Sequence, residues 1–273
     1  MTDDCESGRT PPHSGGHRSE PNEGAARPAD SLHARLDRIE RLLVPVREDA
    51  HGVSDPPAWR RTTAGEPRWA VTVVITAAIG LQWSLPPRLT IHPHWLLPAL
   101  ELLLLVALMA ANPHRIERGS QLLRTGGLVL TGVISVANGW SAAQLVTGLV
   151  QGTEPGSAGP LLMTGAGIWL TNVIAFALWY WEWDRGGPVA RAQGTHQFPD
   201  FLFVQMQSPD TAPAHWEPTF LDYLYLAFTN ATAFSPTDVM PLSRWAKMLM
   251  LLQSAISLVT VALVVARAVN ILK

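Results

Sequence analysis

The chain has 273 residues, 47% hydrophobic and only 15% charged, with a formal net charge of -2. A soluble domain carries about 25% charged residues, and here the apolar residues concentrate after Trp69, in runs long enough to cross a bilayer. This excludes a soluble globule for most of the length. No basic face speaks for a nucleic-acid partner, and one cysteine, Cys5, allows neither an intramolecular disulfide nor a cysteine-based metal site.

Residues 1–68 read as a disordered cytoplasmic leader. The stretch "SGRTPPHSGGHRSEPNEGAARPAD" is rich in Gly, Pro, Ser and His and cannot bury enough apolar surface to offset chain entropy. It lacks the basic start, apolar core and small-residue cleavage site of a secretory signal. His13 and His17 are scattered and solvated rather than metal ligands. Within the leader, Leu32, Leu36, Ile39 and Leu43 follow a coiled-coil seam, Ser31 can cap the start and Pro45 ends it. This predicts a short amphipathic helix at 31–44, lying on the membrane or on its own protein, or serving as an accessory contact in a homo-oligomer.

Five apolar segments follow at 69–85, 95–111, 122–150, 161–183 and 245–272, with a shorter, more polar one at 220–234. The expected fold class is therefore all-α, a polytopic transmembrane helical bundle of five or six spans, with 69–273 as the transmembrane domain. The third segment is rich in Gly, Ser and Ala, which permit close helix packing. The fourth closes in "ALWYWEWDRGGP", whose tryptophans suit a membrane interface. Arg60, Arg61 and Arg68 precede the first segment, and Arg115, Arg118 and Arg124 lie between the second and third. The opposite loops hold only Arg88, so the positive-inside rule predicts a cytoplasmic amino terminus in the inner (plasma) membrane. If 220–234 crosses, there are six spans and Lys273 is inside; if it re-enters, there are five and Lys273 is outside.

The last part, "YLYLAFTNATAFSPTDVMPLSRWAKMLMLLQSAISLVTVALVVARAVNIL", resembles the pore domain of potassium channels without a gap. Tyr225 and Phe228 match an aromatic pore helix, and Thr229 and Thr232 fall where pore-helix threonines lie. Asp238 matches the aspartate after the filter, and "PLSRWAK" the link into the inner helix. The resemblance covers about fifty residues, and 161–273 if the fourth segment is the outer helix. It extends to bacterial polytopic membrane-protein families with a similarly altered filter. It implies an ion-channel-like pore region, a homo-oligomer and monovalent cations as candidate partners beside the lipid bilayer. The lining it implies is Thr229, Asn230, Thr232, Ala233, Phe234, Ser235, Pro236, Thr237 and Asp238.

One departure bears on selectivity. Where the channels have Thr-Val-Gly-Tyr-Gly, this chain has Ala233-Phe234-Ser235-Pro236-Thr237. Filter glycines supply backbone angles that other residues adopt at a cost, and Pro236 fixes its own φ and biases Ser235 toward an extended form. Selectivity for potassium is therefore not expected, and a non-selective ion pathway stands beside a non-conducting membrane scaffold or accessory protein.

Other polar residues fall at membrane depth. Glu101 stands among leucines in the second segment, as a proton or cation site or as a protonated carboxyl bonded across helices. Asn138 and Asn172 read as interhelical glue. Arg267 reads as snorkelling to the interface, with Glu101 as an alternative partner. Glu182-Trp183-Asp184-Arg185 reads as an interfacial charge cluster, with a pore vestibule as the alternative. The sequence holds no HExxH, GxSxG or GxxxxGK[ST]. No enzyme, metal site or cofactor is expected, and His92 and His94 stand as an isolated pair between two segments.

Overall fold

A computed structural model of the chain describes residues 36–39, 57–111, 121–153, 157–208, 211–233 and 238–272. The chain divides into two units, Met1–Asp55 and Pro56–Lys273. In the first, residues 36–39 are helical and exposed. The remainder of the helix expected at 31–44, together with Cys5, His13 and His17, lies outside the described residues.

The second unit is helical. Its elements are α1 (Trp69–Trp83), α2 (Leu96–Ala111), α3 (Gln121–Gln151), α4 (Ala158–Trp183), the short α5 (Pro188–Ala192), β1 (Phe201–Leu202), the short α6 (Val204–Gln207), α7 (Phe220–Ala233), β2 (Met240–Pro241) and α8 (Arg244–Leu272). Three stretches are long and apolar enough to cross a membrane: Leu122–Gln151, Ala158–Gly186 and Arg244–Leu272. The helices α1 and α2 are apolar but shorter, with 15 and 16 residues. At 1.5 Å per residue they reach about 23 Å, somewhat less than the roughly 30 Å hydrocarbon layer.

Helix α4 is the centre. It packs on α8, α7, α3 and α1, and every residue from Thr171 to Leu178 is buried. A helix apolar all round belongs inside a bundle. Helix α8 shows the reverse of soluble amphipathicity. Its buried stripe includes Gln253, Ser257 and Thr260, while Leu251, Leu252, Leu258 and Val265 are exposed. Such a helix hides its polar atoms from an apolar surrounding, as the membrane assignment requires. Close approach is permitted by Gly165 of α4, where a Cβ would fall 2.8 Å from Val264 Cγ1.

The packed unit begins ahead of Trp69, where the sequence reading starts the transmembrane domain. Trp59 and Glu66 are buried, at 7% exposure each, and Thr63 N–H donates to the Ala192 carbonyl at 2.8 Å. Residues 57–68 therefore belong to the bundle, because burying Glu66 among its partners outweighs the polar composition of that stretch.

One end of the bundle gathers many termini. Arg68 at the start of α1 donates to the Leu108 carbonyl near the end of α2, at 2.7 Å. Leu108 also packs against Gly126 near the start of α3, and the Glu182 carboxyl at the end of α4 touches Gly127. At the opposite end Leu85 and Leu89 pack with Leu145, Leu161 and Val264.

Candidate functional site

Helix α4 stops at Trp183 because the next residues leave helical space: Arg185, Gly186 and Gly187 have φ of 52, 80 and 96°. Glycine tolerates such angles and arginine does not readily do so. The turn places Asp184 and Arg185 inward, at 0% and 4% exposure. Of the charge cluster expected there, Glu182, Asp184 and Arg185 are all buried and Trp183 reaches the surface.

Three acids there organise everything that follows. Asp184 accepts from the backbone N–H of Asp200 at 2.9 Å and of Phe201 at 3.3 Å, and from the Tyr223 hydroxyl at 2.5 Å. Asp200 accepts from the Arg185 N–H at 3.0 Å and from Trp245 Nε1 at 2.9 Å. Glu66 accepts from Trp181 Nε1 at 2.9 Å, from the Phe220 N–H at 3.0 Å and from Arg191 Nη2 at 3.0 Å. Arg191 also donates to the Trp181 and Asp184 carbonyls. Burial opposes its charge, but Tyr223, Glu66 and Asp184 outweigh that and raise its pKa above the ordinary arginine value. Buried charges persist only when paired and hydrogen-bonded in this way.

This hub sets the entry of α7. Glu66 holds the first N–H of α7 and Asp184 holds Tyr223 one turn later. The chain is back at the hub after α7, because Met240 pairs with Leu202 and the Leu242 N–H donates to the Asp200 carbonyl at 2.8 Å. Trp245, in the first turn of α8, is bonded to Asp200. Helices α7 and α8 thus both start at the hub.

Their side-by-side course is fixed further in. Asn230 Nδ2 donates to Gln253 Oε1 at 2.7 Å and to the Met250 carbonyl at 3.0 Å. Gln253 Nε2 donates to the Ala227 carbonyl at 2.9 Å, and the Tyr180 hydroxyl to Gln253 Oε1 at 2.6 Å. Ser254 Oγ donates to Asn230 Oδ1 at 3.1 Å. Asn230 and Gln253 lie about 15 Å and about 13 Å along their helices from Phe220 and Arg244. Deeper still, Asn172 Nδ2 reaches Ser257 Oγ at 3.1 Å, as glue between α4 and α8.

The lining expected from the sequence separates into parts. Asn230 is 2% exposed and joins α7 to α8. Thr229 is half-buried, its hydroxyl turned to the Tyr225 and Leu226 carbonyls at 3.0 Å. Thr232, bonded to the Phe228 carbonyl at 2.7 Å, is exposed, as are Ala233 and Asp238. Phe234, Ser235, Pro236 and Thr237 lie outside the described residues. Leu221, Tyr225, Phe228 and Thr232 form one uncovered stripe along α7.

Elsewhere, a cavity of about 240 Å³ opens among α1–α4, with Val71, Leu105, Leu130 and Leu178 in its wall and Arg68, Arg124 and Glu182 at its polar side. Glu101 is fully buried, and among the described residues neither carboxyl oxygen has a hydrogen-bond partner. Arg267 is half-buried, and no ion pair joins it to Glu101 among the described residues. No group of three or more His, Cys, Asp or Glu able to hold a metal occurs among the described residues.

Sequence reasoning missed Glu66, Arg191, Asp200 and Tyr223. Their partners are distant in the chain, and no spacing marks them; only the tryptophan-rich end of α4 pointed toward the hub. Compared with protein families, curated proteins and solved structures, the chain matches none.

Proposed function

We propose that this protein is a multi-pass membrane protein whose last part, α4, α7 and α8, is a re-entrant pore module forming a non-selective ion pathway between copies of the chain. The observation that carries the reading is the return of the chain to one end. Phe220 is held by Glu66, and Met240 is paired with Leu202 beside the same hub. A chain that leaves one end in a helix of 14 residues, about 21 Å, and is back at that end by Met240 does not cross a bilayer. On this reading there are five spans and one re-entrant helix, the order of outer helix, pore helix and inner helix.

The arginines favour a cytoplasmic hub. Arg60, Arg61, Arg68, Arg124, Arg185, Arg191, Arg244 and Lys247 cluster toward it, against Arg88 and Arg267 at the other end. The re-entrant helix then enters from the cytoplasm, and Lys273 is outside. Thr232, Ala233 and Asp238 of each copy face the pathway. The uncovered stripe Leu221, Tyr225 and Phe228 meets the neighbouring copy.

A second reading, a non-conducting scaffold, is favoured by Asn230, whose amide is taken up between helices. Ion flux from proteoliposomes of the full chain separates the two. The pathway reading expects flux of sodium and potassium alike, reduced by Asp238→Asn. No flux at any voltage or salt, or flux unaltered by Asp238→Asn, contradicts it.

A further inference from the structure

Away from the pore-like module, α1 and α2 each bury one polar side chain, and α3 buries Thr131, Asn138 and Ser141. Glu101 of α2 is 0% exposed, Gln82 of α1 is 4% and Asn138 of α3 is 3%. Among the described residues, both Glu101 carboxyl oxygens, Gln82 Nε2 and Asn138 Oδ1 have no hydrogen-bond partner. The Gln82 amide lies against the Glu101 carboxyl. Next to Gln82 is a cavity of about 10 Å³, bordered by Thr90, His94, Pro98 and Ser141. That is room for a single water, and the polar lining supplies its partners. His94 is exposed at the end opposite the hub, so the cavity joins the interior to that surface.

The electrostatics decide the state of the acid. Helix α1 has no ionisable residue between Trp69 and Trp83, and Glu101 is the only one in α2. The only one in α3 is Arg124, about 20 Å along the helix from Asn138. In α4 they are Tyr180, whose hydroxyl is bonded to Gln253, and Glu182, which is at the hub, and in α8 Arg267 makes no ion pair with Glu101 among the described residues. Arg88, His92 and His94 lie in the connection beyond the cavity. An unpaired carboxylate in such a place is costly, and the neutral acid costs far less. The neutral acid also fits the unpartnered atoms by type. Its carbonyl oxygen can accept from an amide N–H, and its hydroxyl can donate to an oxygen.

We infer that Glu101 is a proton-binding site, loaded and unloaded through Gln82 and the small cavity from the end opposite the hub. In loading, hydronium from the cavity passes Gln82, gives a proton to a Glu101 carboxylate oxygen and leaves as water; unloading is the reverse. The inference does not depend on the pore reading, and the proton site stands whether or not ions pass along α7.

Infrared difference spectroscopy of the full chain in proteoliposomes tests it. The wild type has a protonated-carboxyl C=O band that Glu101→Gln removes, that shifts within minutes in D2O, and that fades as pH rises. Should Glu101→Gln fail to accumulate, Glu101→Asp displaces the same band instead. A spectrum in which neither substitution alters a protonated-carboxyl band overturns the inference, as does a band that does not shift in D2O. A band lost when sodium chloride replaces choline chloride at fixed pH also overturns it, because it marks an alkali-cation site.

Discussion

The carboxylate of Glu66 accepts the backbone N–H of Phe220 at 3.0 Å, across 154 residues of chain. That contact ties the segment ahead of the first apolar helix to the entry of α7. The same carboxylate is paired with the buried Arg191. Removing one partner of a buried pair leaves an uncompensated charge and costs about 3–5 kcal/mol. Glu66→Ala should therefore lower the thermal midpoint of the purified protein sharply. In a double-mutant cycle, Glu66→Ala with Arg191→Met should cost less than the two changes summed.

The link between α7 and α8 is a shared network, so its members should not add. Asn230→Leu removes one of the two donors to Gln253 Oε1 and the side-chain donor to the Met250 carbonyl, at about 0.5–1.5 kcal/mol per bond. Gln253→Leu strands the Tyr180 hydroxyl and removes one of the two acceptors of Asn230 Nδ2. The double variant should show a coupling of about 0.5–3 kcal/mol in denaturation measurements. Strict additivity would mean that the two side chains do not meet.

Gly165 tests how closely α4 and α8 approach. A methyl there meets Val264 below van der Waals contact, so Gly165→Ala should destabilise by about 1–3 kcal/mol through overpacking. Val264→Ala in the same chain should recover most of that loss, which detergent-resistance melting curves can read.

The helices were legible in the sequence because long apolar runs leave few alternatives. The runs 122–150 and 245–272 agree with α3 and α8 to within a residue or two. The start of the packed unit was not, since Trp59 and Glu66 stand in a Pro- and Gly-bearing stretch with no periodicity. Their partners lie more than a hundred residues on. Asn230 shows the limit most plainly: its position within a polar run suits a pore lining and an interhelical bond equally, and only the register of α7 on α8 decides. Likewise, whether 220–234 crosses or returns rests on a pairing of two-residue strands that no hydropathy pattern announces.

The uncovered stripe of α7 should mediate assembly. Leu221→Glu and Tyr225→Glu place charges on it without entering the core, since both side chains are about half exposed. Each should shift the full chain toward the monomer in light scattering on detergent-solubilised protein, with the melting midpoint of the monomer little changed.

The return of the chain at the hub is the claim on which the rest stands, and sidedness tests it most directly. Cys5 is the only cysteine, so a Cys5→Ser background carrying either Thr195→Cys or Lys273→Cys reports one position at a time. Labelling intact cells with a membrane-impermeant thiol reagent should modify Lys273→Cys and leave Thr195→Cys unmodified until the membrane is opened. Both positions on the same side would mean that α7 crosses the bilayer, and would contradict the re-entrant module.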